Sequence, residues 1–323
     1  MSILSKKYFH DEAAAFRHLE SLLWPDGPIC PHCGSVDNAG RLEGVKDKKG
    51  RVRLGLWKCY AKECRMQFTV RVGTVFESAH IPLPKMLQAV YLLCASKKGC
   101  SSHQLHRTLG ITYKSAWFLT HRIREAMRDG KLAPMGGAGG IVEVDETMIG
   151  RQEGVPRRMK FKGGDQFRNV VLTLVQRGGG ARSFHIDGTT LGTLLPIIRA
   201  NIRRESELMT DQASWYKGIG QEFASHGKVE HSADEYVRRE GERVIHTNTV
   251  EGYYSIFKRG MKGVYQHCSE KHLHRYLAEF DFRYSHRVRL GYSDDARTAE
   301  VLKGIVGKRL TYRNPDEPRP ASA

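Results

Sequence analysis

The chain has 323 residues, 52 Lys and Arg against 35 Asp and Glu, and a net charge of +17. At 40% hydrophobic residues it is too apolar for a disordered chain and long enough for two or three domains with a sizeable core. The positive surplus favours a polyanion, and nucleic acid is preferred over a membrane: no apolar run approaches the ~20 residues that span a bilayer, and the first residues lack the apolar core of a secretion signal, so a cytoplasmic location is expected.

Residues 1–26 read as an N-terminal helical segment. Asp11 can cap a helix over residues 11–23 in which Phe16, Leu19, Leu22 and Leu23 share a face, and Trp24-Pro25 stops it. Cys30-Pro-His-Cys33 and Cys59-Tyr-Ala-Lys-Glu-Cys64 follow, separated by about one β-hairpin. Two such pairs, each on a tight turn, have the spacing of a zinc ribbon, assigned to residues 27–76. Strands are expected at Arg41–Gly44, Arg51–Trp57 and Gln67–Val72, around the polar turn Asp47–Gly50. Four thiolates close the shell without His32, so the zinc is structural, with about 10–16 kcal/mol of apparent binding free energy coupled to folding. Cys94, Cys100 and Cys268 read as bystanders.

Residues 82–129 read as helical, with helices over Lys85–Ala95, Ser101–Leu109 and Thr112–Met127 and a turn at Gly110. A short helix, a glycine turn and a longer basic helix form a helix-turn-helix pattern. The last helix would enter the DNA major groove, with Tyr113, Lys114, Arg122 and Arg124 as contacts. Residues 130–140 are Gly-rich and aperiodic, which reads as a linker.

From Ile141 the pattern changes to α/β. Strands are expected at Ile141–Asp145, Val170–Val175 and Ala181–Ile186, then a helix over Leu191–Ile202 and a strand ending at Asp211. Three meandering strands, a helix and a fourth strand follow the order of a ribonuclease-H-like domain, a mixed sheet with flanking helices, assigned to residues 141–290. In that order the first and fourth strands are neighbours, so Asp145 and Asp211 would face each other. Between them, residues 151–168 are very basic and read as a long hairpin or a mobile loop that includes Arg157 and Arg158, candidate DNA contacts. Farther on, Asn248, Glu251, Ser255 and Lys258 fall at three- and four-residue steps and line one helix face. There Glu251 could reach metal and Lys258 a DNA phosphate, with Arg259 and Lys262 extending the basic end. Three carboxylates suit in-line phosphoryl transfer, in which two hard divalent ions ~4 Å apart, Mg²⁺ or Mn²⁺, activate the nucleophile and stabilise the departing oxygen. Glu143, on the same strand face as Asp145, is the nearest rival acid. A final helix over His272–Arg287 precedes a C-terminal extension, 291–323, partly disordered.

The order Cys-Pro-His-Cys-Gly-Ser, Gln67-Phe-Thr-Val-Arg-Val-Gly-Thr-Val-Phe-Glu77, Val144-Asp-Glu-Thr-Met-Ile-Gly150, His246-Thr-Asn-Thr-Val-Glu-Gly-Tyr-Tyr-Ser-Ile-Phe-Lys-Arg-Gly260 and Lys271-His-Leu-His-Arg-Tyr-Leu-Ala-Glu-Phe280 resembles one group of bacterial insertion-sequence transposases. The resemblance runs from about Phe16 to Arg287. It implies a zinc ribbon joined to a DDE catalytic domain, with Asp145, Asp211 and Glu251 as the metal-holding triad and Lys258 seven residues after the glutamate. Asn248 lies in the same motif and is the alternative third ligand, since some members use Asn there. The implied activity binds the element's terminal inverted repeats, cleaves phosphodiester bonds and joins the 3′-hydroxyls to target DNA at the bacterial nucleoid, as a homodimer or higher oligomer. Other readings of the same residues are a DNA-binding regulator with an inactive catalytic domain, or a nuclease of this fold without strand transfer.

Overall fold

The computed structural model describes residues 3–130, 132–155, 167–216, 218–230, 235 and 237–311. The chain divides into two compact units: one runs to Ser96, resumes over Cys100–Arg128 and takes in the segment from Ser293; the other joins Lys97–Gly99 to Asp129–Tyr292.

In the first unit, helix α1 (Glu12–Leu23) begins where Asp11 accepts the Ala14 N–H at 2.7 Å. Three short antiparallel strands follow, β1 (Ala39–Arg41), β2 (Trp57–Cys59) and β3 (Gln67–Phe68). They are shorter than the sequence suggests. Asp47 folds the polar stretch into a turn, accepting from the N–H groups of Lys49 and Arg51 at 2.8 and 3.0 Å, so residues 51–56 do not extend β2. The buried Glu20 joins α1 to this sheet by accepting from the Trp57 indole at 3.0 Å and pairing with Arg41. Gly55, at φ +64°, sits so close to Phe16 that a Cβ would stand 2.3 Å from its ring.

Helices α2 (Leu83–Ala95), α3 (Ser102–Leu109) and α4 (Tyr113–Met127) complete the middle of the unit. Ser101 and Thr112 cap α3 and α4 through the Gln104 and Ser115 N–H groups, and Gly110 takes the left-handed conformation between them. The chain returns at α8 (Asp294–Lys303), whose Arg297 guanidinium donates to the Cys94 carbonyl and to Asp294, both at 2.7 Å. Val306 then pairs with Thr74. Residues 293–311 are therefore an integral layer of the first unit rather than a separate extension. The sequence conceals this because the buried face of α8 includes Arg297 and Thr298 beside Val301 and Leu302, so its apolar period is weak.

The second unit is built on a five-stranded mixed sheet of order β6-β5-β4-β7-β8. β4 (Ile141–Ile149), β5 (Asn169–Gln176) and β6 (Ala181–Ile186) meander antiparallel, helix α5 (Leu191–Asn201) crosses over, and β7 (Glu207–Asp211) and β8 (Ser225–Val229) lie parallel to β4. A hairpin, β9 (Arg238–Glu240) and β10 (Arg243–Ile245), leads into α6 (Asn248–Gly260), and α7 (Leu273–Ser285) follows. The sheet is consistent with the ribonuclease-H-like expectation. One face packs Val142, Val144, Leu172 and Leu174 on Leu194 and Ile198 of α5. The other packs Ile149, Val171 and Val175 on Tyr254 and Phe257 of α6 and Leu277 and Phe280 of α7.

The Gly-rich stretch expected as a linker is docked on this second unit. Met135 is buried, its N–H donates to the Asn201 carbonyl at 2.7 Å, and Gly137 N–H reaches the Ser206 hydroxyl at 2.9 Å. Its glycines serve close approach: a Cβ on Gly136 would lie 2.1 Å from Ser206 Oγ.

Arg297→Ala should destabilise the first unit by about 1–3 kcal/mol, because a buried carbonyl and Asp294 lose their donor. The expected reading is a lower urea midpoint in the fluorescence transition of Trp24 and Trp57; an unchanged midpoint would remove α8 from the stabilising core.

Candidate active site

Each half of the zinc-ribbon motif forms a knuckle. The Gly34 N–H closes the first turn on the Cys30 carbonyl at 2.9 Å, and the Cys64 N–H closes the second on Ala61 at 3.1 Å. The sulfurs of Cys30 and Cys64, and of Cys33 and Cys59, stand 3.7 Å apart, and all four lie within 4.8 Å of one another. Among the described residues this is the one cluster of three or more His, Cys, Asp or Glu ligand atoms that close. The Met66 N–H pulls the Cys64 thiol down, but burial and the neighbouring thiols outweigh it and hold the group at about 12. Four converging sulfurs of this kind fit a tetrahedral Zn²⁺, which would take them as thiolates.

In the second unit, β4 and β7 pair in parallel with Ile141 opposite Glu207, Val142 opposite Leu208 and Glu143 opposite Met209. Carried two residues on, that register sets Asp145 level with Asp211 on the neighbouring strand. Alternation places both on the sheet face that receives α6. Asp145 accepts the Glu146 N–H at 2.8 Å, and Asp211 accepts the Ala213 N–H at 3.0 Å. Burial, then the charges of Glu146 and Asp211, and last that of Glu251, push the Asp145 carboxyl up to about 7, against the Glu146 N–H. The like charges of Glu146, Asp211 and Glu251 thus all act on Asp145. Hard oxygen donors of this kind fit Mg²⁺ or Mn²⁺, which Asp145, Asp211 and Glu251 would hold.

Glu251 lies in the first turn of α6, half-buried, and accepts the Thr247 hydroxyl at 2.9 Å. Asn248, at the start of the helix, is exposed. Tyr254 fixes the helix to the sheet by donating to the Asp145 and Val171 carbonyls at 2.6 and 3.2 Å. Lys258 Nζ stands 5.9 Å from the Tyr254 ring centroid, one turn past it. Arg259 is exposed with its Nε donating to the Ser255 carbonyl at 2.9 Å, and Lys262 is exposed in the following turn.

Glu143, the rival acid, is fully committed elsewhere. Its carboxylate is inaccessible and accepts from Arg177 Nε at 2.6 Å, Thr249 N at 2.8 Å, Thr249 Oγ1 at 2.7 Å and Val250 N at 2.9 Å. Glu146 points to the α5 side, where it takes the Trp215 indole at 2.6 Å and the Tyr216 hydroxyl. Sequence reasoning passed over the roles of Arg177, Trp215 and Tyr216. Their partners are 34 to 70 residues away, so no local pattern signals them.

Of the expected major-groove contacts on α4, Tyr113 and Lys114 are exposed at the first turn, and Tyr113 stacks on His103. Arg122 and Arg124 are a correction. Their side chains turn into the first unit, where Arg122 donates to the Glu77 carbonyl at 2.9 Å and Arg124, 1% exposed, to Thr120 at 3.2 Å. They hold α4 in place and present no guanidinium on its exposed face. Arg157 and Arg158 lie outside the described residues.

A closed four-cysteine ribbon and a mixed sheet that sets two aspartates level at a parallel junction suit a protein that acts on nucleic acid. Residues 137–285 match the family described as ISXO2-like transposase domain, and residues 10–67 match the transposase zinc-ribbon domain. The chain belongs to the insertion-sequence transposases that join a zinc ribbon to a DDE domain. No curated protein matches it. No helix among the described residues is long and apolar enough to cross a membrane.

The purified chain should carry one zinc, and Cys59→Ala should lose it together with the melting transition of the first unit; full zinc content by atomic absorption in that variant would refute the assignment. In the second unit, the folded chain keeps a proton on Asp145 between about pH 4 and pH 7 that the unfolded chain has released, so this group lowers stability as pH rises through that window. Asp145→Asn should therefore raise the melting temperature of the zinc-loaded, Mg²⁺-free protein at pH 8, by a free energy on the order of a few kcal/mol, and change little at pH 4. Equal shifts at both pH values would contradict the coupling.

Proposed function

We propose that the protein is a DNA transposase that binds the terminal inverted repeats of its element, cleaves phosphodiester bonds there and joins the freed 3′-hydroxyls to target DNA. The observation that carries this reading is the junction of β4 and β7, which sets Asp145 level with Asp211, with the charge of Glu251 also felt at Asp145. A pair of divalent ions held there would supply the activated oxygen nucleophile and stabilise the oxygen that leaves. The protein's own part is positioning. Asp145 and Asp211 are presented by strands rather than loops, and Glu251 by a helix fastened to the same sheet through Tyr254. Lys258, half-buried two turns along that helix, is suited to a DNA phosphate, with the exposed Arg259 and Lys262 continuing the basic surface. Asn248 stands one turn before Glu251 and is the second candidate for the third ligand.

For recognition, α3, the Gly110 turn and α4 are read as a helix-turn-helix, with the first turn of α4, bearing Tyr113 and Lys114, directed to base edges. Two element ends must be processed together, which favours a dimer or larger assembly on DNA.

Asp145→Asn, Asp211→Asn and Glu251→Gln should each abolish Mg²⁺- or Mn²⁺-dependent cleavage of a duplex carrying the element's own ends, by 10³-fold or more on the order of magnitude expected for a lost catalytic group, while end binding persists. Cleavage retained by either aspartate variant would sink the assignment. Binding of the same duplex should weaken steeply from 50 to 200 mM salt, and Lys114→Ala should weaken it, whereas a salt-insensitive complex would argue against phosphate contacts.

A further inference from the structure

We propose that Glu143 is a positioning residue for the third metal ligand, setting the start of α6 and hence Glu251 against Asp145 from the same strand that carries Asp145. This rests on the reading of Asp145, Asp211 and Glu251 as a divalent-metal site.

Helix α6 lacks a side-chain cap from its own N-cap residue, Thr247. The Thr247 hydroxyl is turned instead to Glu251. The first turn of a helix leaves N–H groups without intrahelical partners, and two of them here, on Thr249 and Val250, donate to Glu143 Oε2 at 2.8 and 2.9 Å. A carboxylate at the positive end of the helix dipole is favourable, and this one comes from β4, 106 residues earlier. Arg177 makes the arrangement rigid. It donates to Glu143 through Nε, to the Val244 carbonyl at 2.8 Å and to the His246 carbonyl at 2.9 Å, so one guanidinium ties the end of the β9–β10 hairpin to the same carboxylate. His246 Nδ1 also lies 3.1 Å from Glu143. With both oxygens occupied and no solvent access, Glu143 has no lone pair to offer a metal. Glu143 and Asp145 are two residues apart on one strand face, so the clamp and the ligand move together.

The test uses the full-length, zinc-loaded chain and Mn²⁺ alone, with free Mn²⁺ followed by electron paramagnetic resonance and backbone exchange over residues 244–252 followed by mass spectrometry. Asp145→Asn should lose the tight Mn²⁺ binding of the wild type. Glu143→Gln should weaken it about 10-fold or more and speed exchange at the start of α6, the size of effect seen when groups that orient metal ligands are removed. Glu143→Asp, which keeps the charge with a shorter reach, should recover part of the affinity. Arg177→Lys, which leaves the carboxylate in place, should weaken Mn²⁺ in the same direction and serves as the readout if Glu143→Gln does not fold. Mn²⁺ binding that survives Asp145→Asn overturns the metal reading and the proposal with it. Binding that is lost in Asp145→Asn but unchanged in Glu143→Gln, even with faster exchange, overturns the proposal alone and leaves Glu143 a stabilising cap. Loss in Glu143→Gln with wild-type affinity in Arg177→Lys overturns it in favour of direct ligation.

Discussion

The parallel pairing of β4 with β7 is the constraint on which the catalytic half depends. β5 and β6 are joined to β4 by antiparallel meanders, but a parallel neighbour requires a crossover, and α5 provides it. Because side chains alternate, a slip of one residue in this register would turn Asp211 toward α5 and bury it among Leu194, Ile198 and Tyr216. Burial of Leu208 on the α5 face and of Met209 on the other fixes the register against that slip. The placement of the acids is thus a by-product of where the apolar residues of β7 must go.

Electrostatics then separates three acids that stand within four residues of one another on β4. Glu143 is neutralised by Arg177 and the start of α6, and Glu146 is satisfied by an indole and a phenol. Asp145 has one backbone N–H and otherwise faces like charge. A buried carboxylate without a counter-charge gives up ionisation rather than bear the cost, which is why its proton is held to about pH 7. A cation at that place would reverse the balance. What distinguishes the three acids is what surrounds each one, since all are half-buried or buried residues of one strand.

Much of this was legible in the sequence. The two cysteine pairs, the strand–helix–strand order from Ile141 to Asp211 and the shared helix face of Asn248, Glu251 and Lys258 all follow from local spacing, and local spacing survives folding. What was not legible depends on contacts across long stretches of chain. The Gly-rich segment at 130–140 resembles a linker, since its glycines give no sign that Ser206 and Val142 press against Gly136. α8 resembles a tail because a buried arginine stands where a periodicity expects an apolar residue. Glu143 was a rival ligand until its distant partner Arg177 was placed beside it.

The basic composition illustrates the same limit in energetic form. A count of charges carries no information about depth, and several of the arginines behind the net +17 are internal. Arg124, Arg283 and Arg297 are nearly inaccessible, and Arg177 and Arg283 each pair with a glutamate of zero exposure, at 2.6 Å. Those paired with a carboxylate add little to the field that a polyanion would feel at the surface, yet removing one leaves a buried partner unpaired. Lys114, Arg259 and Lys262, by contrast, are exposed, and their charge meets solvent directly. Arg177 and Arg297 serve a different end: the half-buried Arg177 bonds two carbonyls at the end of the hairpin that leads into α6, and the buried Arg297 ties α8 to the Cys94 carbonyl. Surface charge and internal construction are superimposed in the composition, and burial is what separates them.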